Sequence, residues 1–158
     1  LENIAMNTTP RLNWFKTVPK AFEALLSVNT AIADTTLEKK LVDLVFARVS
    51  QINGCAYCLD MHVRDLRKEG EGWQRINSLA TWRERSFYDA RERAALAWAE
   101  SLTRMADRHD ARDAEYEALK AAFSDLEIAE LTVAVAQINS WNRMNVAMHV
   151  PAPVKPLE

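Results

Sequence analysis

No proline lies between Pro19 and Pro151, and only Gly54, Gly70 and Gly72 interrupt that span with glycine. Proline is the strongest helix breaker, so a long chain without it is free to be helical. Alanine, leucine, glutamate and arginine are abundant there and all are good helix formers. No alternating apolar pattern competes for strands. The expected fold is therefore all-α, with helices near 19–32, 36–52, 54–69, 72–81, 87–106, 111–122 and 125–148. Capping boxes predict several helix starts: Thr35 with Glu38, Ser124 with Glu127, and more weakly Ser86 with Asp89. Gly70 and Gly72 bracket a turn, and Pro151 closes the last helix.

A chain of 158 residues predicts a single domain, taken here as 6–156. Residues 1–5 precede a Met6 that reads as a natural start, and 157–158 read as vector-derived. No secretory signal is expected. The net charge of -2, without a basic block, argues against a nucleic-acid partner. The apolar runs fall well short of the roughly 18 residues of a membrane span. The two cysteines sit three apart, whereas a secreted scaffold would use more of them at wider spacing. A cytoplasmic protein is the expectation.

The second predicted helix is apolar nearly all round. Leu37, Leu41, Leu44, Val45, Val49 and Ile52 share one face, and Val42 and Phe46 flank the other. Such a helix is buried between others. Asp43 then becomes a partly buried acid, and Arg48 needs a partner or a route to water. The last helix is similar, with Leu126, Ile128, Leu131, Val133, Val135 and Ile138. Two such helices in a small chain predict a tight bundle together with a subunit interface.

The chemistry concentrates in Cys55-Ala56-Tyr57-Cys58-Leu59-Asp60-Met61-His62. Helical positions three and four apart share a face, so Cys55 meets Cys58 and Cys58 meets His62. Asn53 is the expected cap, which puts the pair in the first turn, where the helix dipole favours a thiolate. A nucleophilic sulfur, a resolving sulfur and a proton relay are the parts of a dithiol redox centre. Two other readings fit the same residues. The cysteines can be inert core residues. They can also join His62 in a zinc site, although zinc takes four ligands and neither His109 nor His149 has a cysteine nearby. Neither a metal nor a cofactor is expected.

The stretch Arg48-Val49-Ser50-Gln51-Ile52-Asn53-Gly54-Cys55-Ala56-Tyr57-Cys58, followed by Met61-His62, closely resembles the core motif of the alkylhydroperoxidase AhpD-like family of the carboxymuconolactone decarboxylase superfamily. The resemblance continues through 91–98 and 138–143 and covers most of the chain from about residue 10 to 150. It implies an all-helical fold and a homo-oligomer, a trimer or hexamer. It also implies reduction of hydroperoxides by the thiol pair, with an external dithiol as reductant. On the family pattern Cys58 is the peroxidatic cysteine, Cys55 resolves, and His62 relays the proton. The relay acid falls at Asp43, where the best-studied members carry glutamate, and Tyr57 stands where they carry a second histidine. The decarboxylase branch lacks the cysteine pair, so that activity is not expected here. Dipole reasoning alone would favour Cys55 as the attacking thiol; the resemblance and the adjacent His62 favour Cys58.

Trp141 and Asn142 are further pocket candidates, although Trp141 reads more simply as core and Arg143 as part of a structural ion pair. Trp73, Trp82 and Trp98 read as core or interface, His109 as a solvated loop residue, and Arg83-Glu84-Arg85 as a solvated connection. The resulting expectation is an oligomeric hydroperoxide reductase. The alternatives are a general disulfide reductase, or a redox-sensing or non-catalytic module of the same fold.

Overall fold

The computed structural model describes residues 9–156; 1–8 and 157–158, which include both ends set aside above, lie outside the described residues. The described residues form eight α-helices and two 3-10 segments, with no strand among them. The helices are α1 (Trp14–Thr17), α2 (Pro19–Ala33), α3 (Lys39–Asn53), α4 (Ala56–Lys68), α5 (Trp73–Ser78), α6 (Ala90–Thr103), α7 (Asp113–Lys120) and α8 (Asp125–Ala147). The 3-10 segments are Leu79–Glu84, after α5, and Met105–Asp107, after α6.

The fold is all-α, with α3 at its centre. One apolar cluster packs Val45 and Val49 of α3 against Ala95 and Ala99 of α6 and Leu131, Val135 and Ile138 of α8. A second packs Leu44 and Ala47 on the opposite face of α3 against Leu66, Leu79, Trp82 and Leu96. Each large side chain so buried contributes about 1.5–3 kcal/mol. The need to satisfy both clusters fixes the rotation of α3 and so the direction of its polar side chains. Arg48 finds its partner in Glu100 at 2.7 Å, and Glu100 also accepts from Trp82 Nε1 and Arg83. Burial opposes ionisation of Glu100, but the donors Trp82, Arg83 and Arg48 outweigh it and hold the carboxyl below its usual value.

Several helix starts differ from expectation. The Ser124–Glu127 capping box opens α8 as predicted. Thr35 caps nothing: its hydroxyl donates to the Ile32 carbonyl, and α3 begins only after Glu38. Ser86 does not cap α6 either; Asp89 does, in a full capping box with Glu92. The run near 72–81 breaks into α5 and a 3-10 segment kinked at Thr81. Trp73 is 47% exposed, with the Arg67 guanidinium over its ring, so it is not core in this chain. Arg83, inside the charged connection, stacks on Trp82 besides reaching Glu100. His109 is exposed.

Candidate functional site

The α3–α4 junction places the two cysteines. Gly54 ends α3 in the left-handed conformation, φ 67°, which glycine adopts without strain. Gly54 N–H donates to the Gln51 carbonyl and Cys55 N–H to the Ser50 carbonyl, a Schellman closure that satisfies the helix end. Asn53 is therefore the last residue of α3 and not the cap of α4. Cys55 takes that role: it is extended, and its Sγ accepts from Cys58 N–H at 3.3 Å. Cys55 and Cys58 are joined as a disulfide, and both are buried.

Asn53 is used elsewhere. Its Nδ2 donates to Asn139 Oδ1 and Asn142 Oδ1, both at 3.0 Å, and Asn142 Nδ2 donates to Ser50 Oγ at 3.1 Å. These buried amides tie the end of α3 to the middle of α8, just before the first cysteine. Arg143 donates to the carbonyl and Oδ1 of Asn139 and so serves the same amides, not the expected ion pair.

His62 lies one turn beyond Cys58 and is buried. Its ring meets Phe46 edge-on, with centroids 4.8 Å apart. Its Nδ1 lies 3.5 Å from Asp43 Oδ1, the outer limit of a hydrogen bond, and has no nearer partner among the described residues. Asp43 is only 6% exposed, and its Oδ2 is held by Lys39 Nζ at 2.5 Å. Burial pushes the Asp43 carboxyl up, but the neighbouring His62 and the bonded Lys39 outweigh it and hold the group below the usual carboxylate range. Lys39 also reaches Glu69 at 3.3 Å.

A cavity of about 330 Å³ opens onto this arrangement. Cys58, His62, Tyr57 and Trp141 line it, with Phe15 and Phe22 forming an aromatic rim and Asn145 behind the sulfur. Trp141 is held there by Asn29 Oδ1, which accepts from its indole N–H at 2.9 Å. Asn142 is 0% exposed and does not line the cavity, so the pocket role considered for it gives way to a structural one. A smaller cavity of about 200 Å³ lies on the Asp43 and Lys39 side, and Phe46 forms part of the wall of both.

Asp43, His62 and Asp65 each offer a ligand atom within 4.8 Å of the others, a spacing that a cation could use. Lys39 and Lys68 already pair with the two carboxylates, at 2.5 and 3.0 Å, which favours an ion-pair network over a metal.

Three contributors escaped the sequence reading. Lys39 had a signal, since it stands four residues before Asp43 on one helix face. Asn145 had a weaker one, four residues after Trp141. The α1–α2 aromatic residues had none, because nothing local says that this hairpin folds over the cysteines.

The carboxymuconolactone decarboxylase family matches residues 19–101. The chain belongs to this family, among its AhpD-like members. It is 33% identical to YdfG of Bacillus subtilis strain 168, an uncharacterized protein, over 138 residues covering 87% of this chain and 93% of that one. It is similar to the solved structure of ATU0492 from Agrobacterium tumefaciens, a protein of unknown function proposed as an antioxidant defence protein AhpD. There the TM-score is 0.89 and the identity 40%, with 93% of this chain and 100% of that one covered. The debrominase Bmp8 shares the fold, with a TM-score of 0.77 and 20% identity over 89% of this chain and 75% of that one. No helix among the described residues is long and apolar enough to cross a membrane.

Proposed function

We propose that this protein is a thiol-dependent hydroperoxide reductase. The observation that carries the reading is that Cys58 and His62 face one largely apolar cavity, with Asp43 behind His62 and Cys55 bonded to Cys58. In the reduced protein the Cys58 thiolate attacks the terminal oxygen of R–O–O–H. The S–O bond forms, the O–O bond breaks, and the alkoxide leaves as ROH with a proton from His62. Cys58 is then a sulfenic acid. Cys55 attacks its sulfur, expels the hydroxyl as water, and closes the disulfide. An external dithiol reduces the pair again and leaves as its own disulfide.

Each residue has a task in this scheme. Asp43, ionised and anchored by Lys39, faces Nδ1 of His62 and orients the ring. Cys58 N–H and the start of α4 stabilise Cys55 as a thiolate when the disulfide opens. The apolar wall suits an organic hydroperoxide with a hydrophobic body. A homo-oligomer, trimer or hexamer, belongs to the same proposal: Leu126 and Val133 of α8 are 58% and 49% exposed, and such surface is suited to an interface.

The test is steady-state reduction of several organic hydroperoxides with several dithiol donors. Turnover that depends on both, and that is lost in Cys58→Ser, is expected. Turnover of small disulfides with no reaction toward any hydroperoxide would instead establish the general disulfide reductase.

A further inference from the structure

Asn145 projects from the last turns of α8 into the wall of the cavity and is 6% exposed. Its two amide atoms differ in state. Nδ2 donates to Cys58 Sγ at 3.4 Å. Oδ1 is buried and has no hydrogen-bond partner among the described residues. A buried acceptor left unmatched is costly, and native proteins rarely keep one without a use. The other side-chain oxygens in the same wall are those of Tyr57 and Asn29, and the Asn29 carbonyl already accepts from Trp141 and Gln137.

We propose that Asn145 is a substrate-binding residue: Nδ2 fixes the Cys58 sulfur while Oδ1 accepts the O–H of the hydroperoxide. The proposal deepens the hydroperoxide reading and rests on it. The chemistry fits one amide well. The terminal oxygen of R–O–O–H is both the atom that sulfur attacks and the atom that carries the donor hydrogen. The nitrogen and oxygen of a side-chain amide are about 2.2 Å apart by standard bond geometry. An acceptor that close to the sulfur's own donor holds the terminal oxygen beside the sulfur, the near-attack arrangement that proximity catalysis requires.

No proton moves to Asn145. The sulfur lone pair forms the S–O bond and the O–O pair departs with the alkoxide. The hydrogen stays on the terminal oxygen and becomes the hydrogen of the sulfenic acid. His62 supplies the proton that the alkoxide takes. Asn145 and His62 thus handle the two different oxygens of the substrate.

The experiment separates the two ends of the amide. In a Cys55→Ser background Cys58 is the only thiol, so two single-turnover rates can be compared on it. Alkylation by iodoacetamide reads the availability of the thiolate. Oxidation by cumene hydroperoxide reads that availability and the contact to Oδ1 as well. Asn145→Leu keeps the shape of the side chain and removes both polar atoms. The expected result is a several-fold slower alkylation and an oxidation slowed at least ten-fold further. Asn145→Ala, measured in the same way, covers the case in which the leucine variant does not fold, and should give the same extra loss. Equal slowing of both reactions, or no slowing, overturns the role of Oδ1. A parent that alkylates normally but ignores hydroperoxide overturns the hydroperoxide reading, and this proposal with it. That outcome is distinct because it appears before Asn145 is altered.

Discussion

Asp43 Oδ1 faces His62 Nδ1 at 3.5 Å while the other Asp43 oxygen is held by Lys39 at 2.5 Å. Asp43 is the shorter of the two acids, yet its position on α3, pinned by apolar contacts on both helix faces, brings it within reach of the ring. The Lys39 contact favours the carboxylate form, and in the proposed scheme that carboxylate orients His62. Asp43→Asn keeps the size and removes the charge. Hydroperoxide reduction should slow by roughly 10²-fold, the order expected when general acid–base help is lost, with little change in thermal unfolding. Stopped-flow rates together with a melting curve check this; wild-type rates in a folded Asp43→Asn protein would take Asp43 out of the site.

The amides between α3 and α8 lead to a prediction about stability. Asn142 is fully buried, donates to Ser50 Oγ and accepts from Asn53 Nδ2. Asn142→Ala removes two bonds and leaves a buried hydroxyl partner unmatched. A loss of about 2–3 kcal/mol follows from the usual worth of such groups. Because Asn53 directly precedes Gly54 and Cys55, the cysteine pair should also become more reactive toward bulky thiol reagents as the junction loosens. Urea unfolding measures the first effect and labelling of the reduced protein the second. An unchanged midpoint would mean that these buried bonds contribute nothing net.

Much of this arrangement was legible in the sequence, and the reasons for success and failure are physical. Spacing alone paired Cys55 with Cys58 and put His62 one turn beyond Cys58 on the same helix, and the all-round apolar pattern of 36–52 identified a central helix. Helix starts were less legible. Thr35 and Ser86 have the right chemistry for caps, but the chain turned later, at Glu38 and Asp89, where packing against α8 and Glu92 set the boundary. Asn53 looked like a cap and is instead the last residue of α3, because the left-handed Gly54 moved the cap to Cys55. The cavity was illegible, since its rim comes from α1 and α2, far from the cysteines in sequence and held over them by contacts with Gln137 and Trp141 of α8.

Glu127 gives a prediction with a defined pH window. Arg91, then the backbone and side chain of Ser124, hold its carboxyl at about 2, below the usual 4.5. A group with a depressed value in the folded state stabilises fully above its unfolded value, and that stabilisation fades as pH falls toward the folded value. Glu127→Gln should therefore be less stable than wild type near neutral pH, and the gap should close on acidification toward about 2. The side chain is partly exposed, at 20%, so the gap should be modest and should shrink in high salt. Denaturant midpoints of both proteins across that range measure it. A gap that stays constant with pH would assign the effect to packing and not to charge.

The last prediction concerns which sulfur meets the peroxide. Cys58 lines the cavity, lies one turn from His62 and accepts from Asn145. Cys55 does not line the cavity; its sulfur faces the start of α4 and accepts Cys58 N–H. Helix-end stabilisation favours a thiolate at Cys55, but stabilising a thiolate away from the substrate makes it a leaving or resolving group, not the attacker. A sulfenic acid is short-lived while its partner can condense with it, so removing the partner should trap it. Cys55→Ser should consume one equivalent of hydroperoxide and be labelled at Cys58 by a dimedone-type probe. Cys58→Ser should be nearly inert. Mass spectrometry of the two labelled variants reads the site directly. Labelling at Cys55 in the Cys58→Ser protein, with an unreactive Cys55→Ser protein, would reverse the two roles and remove His62 from the attacking step.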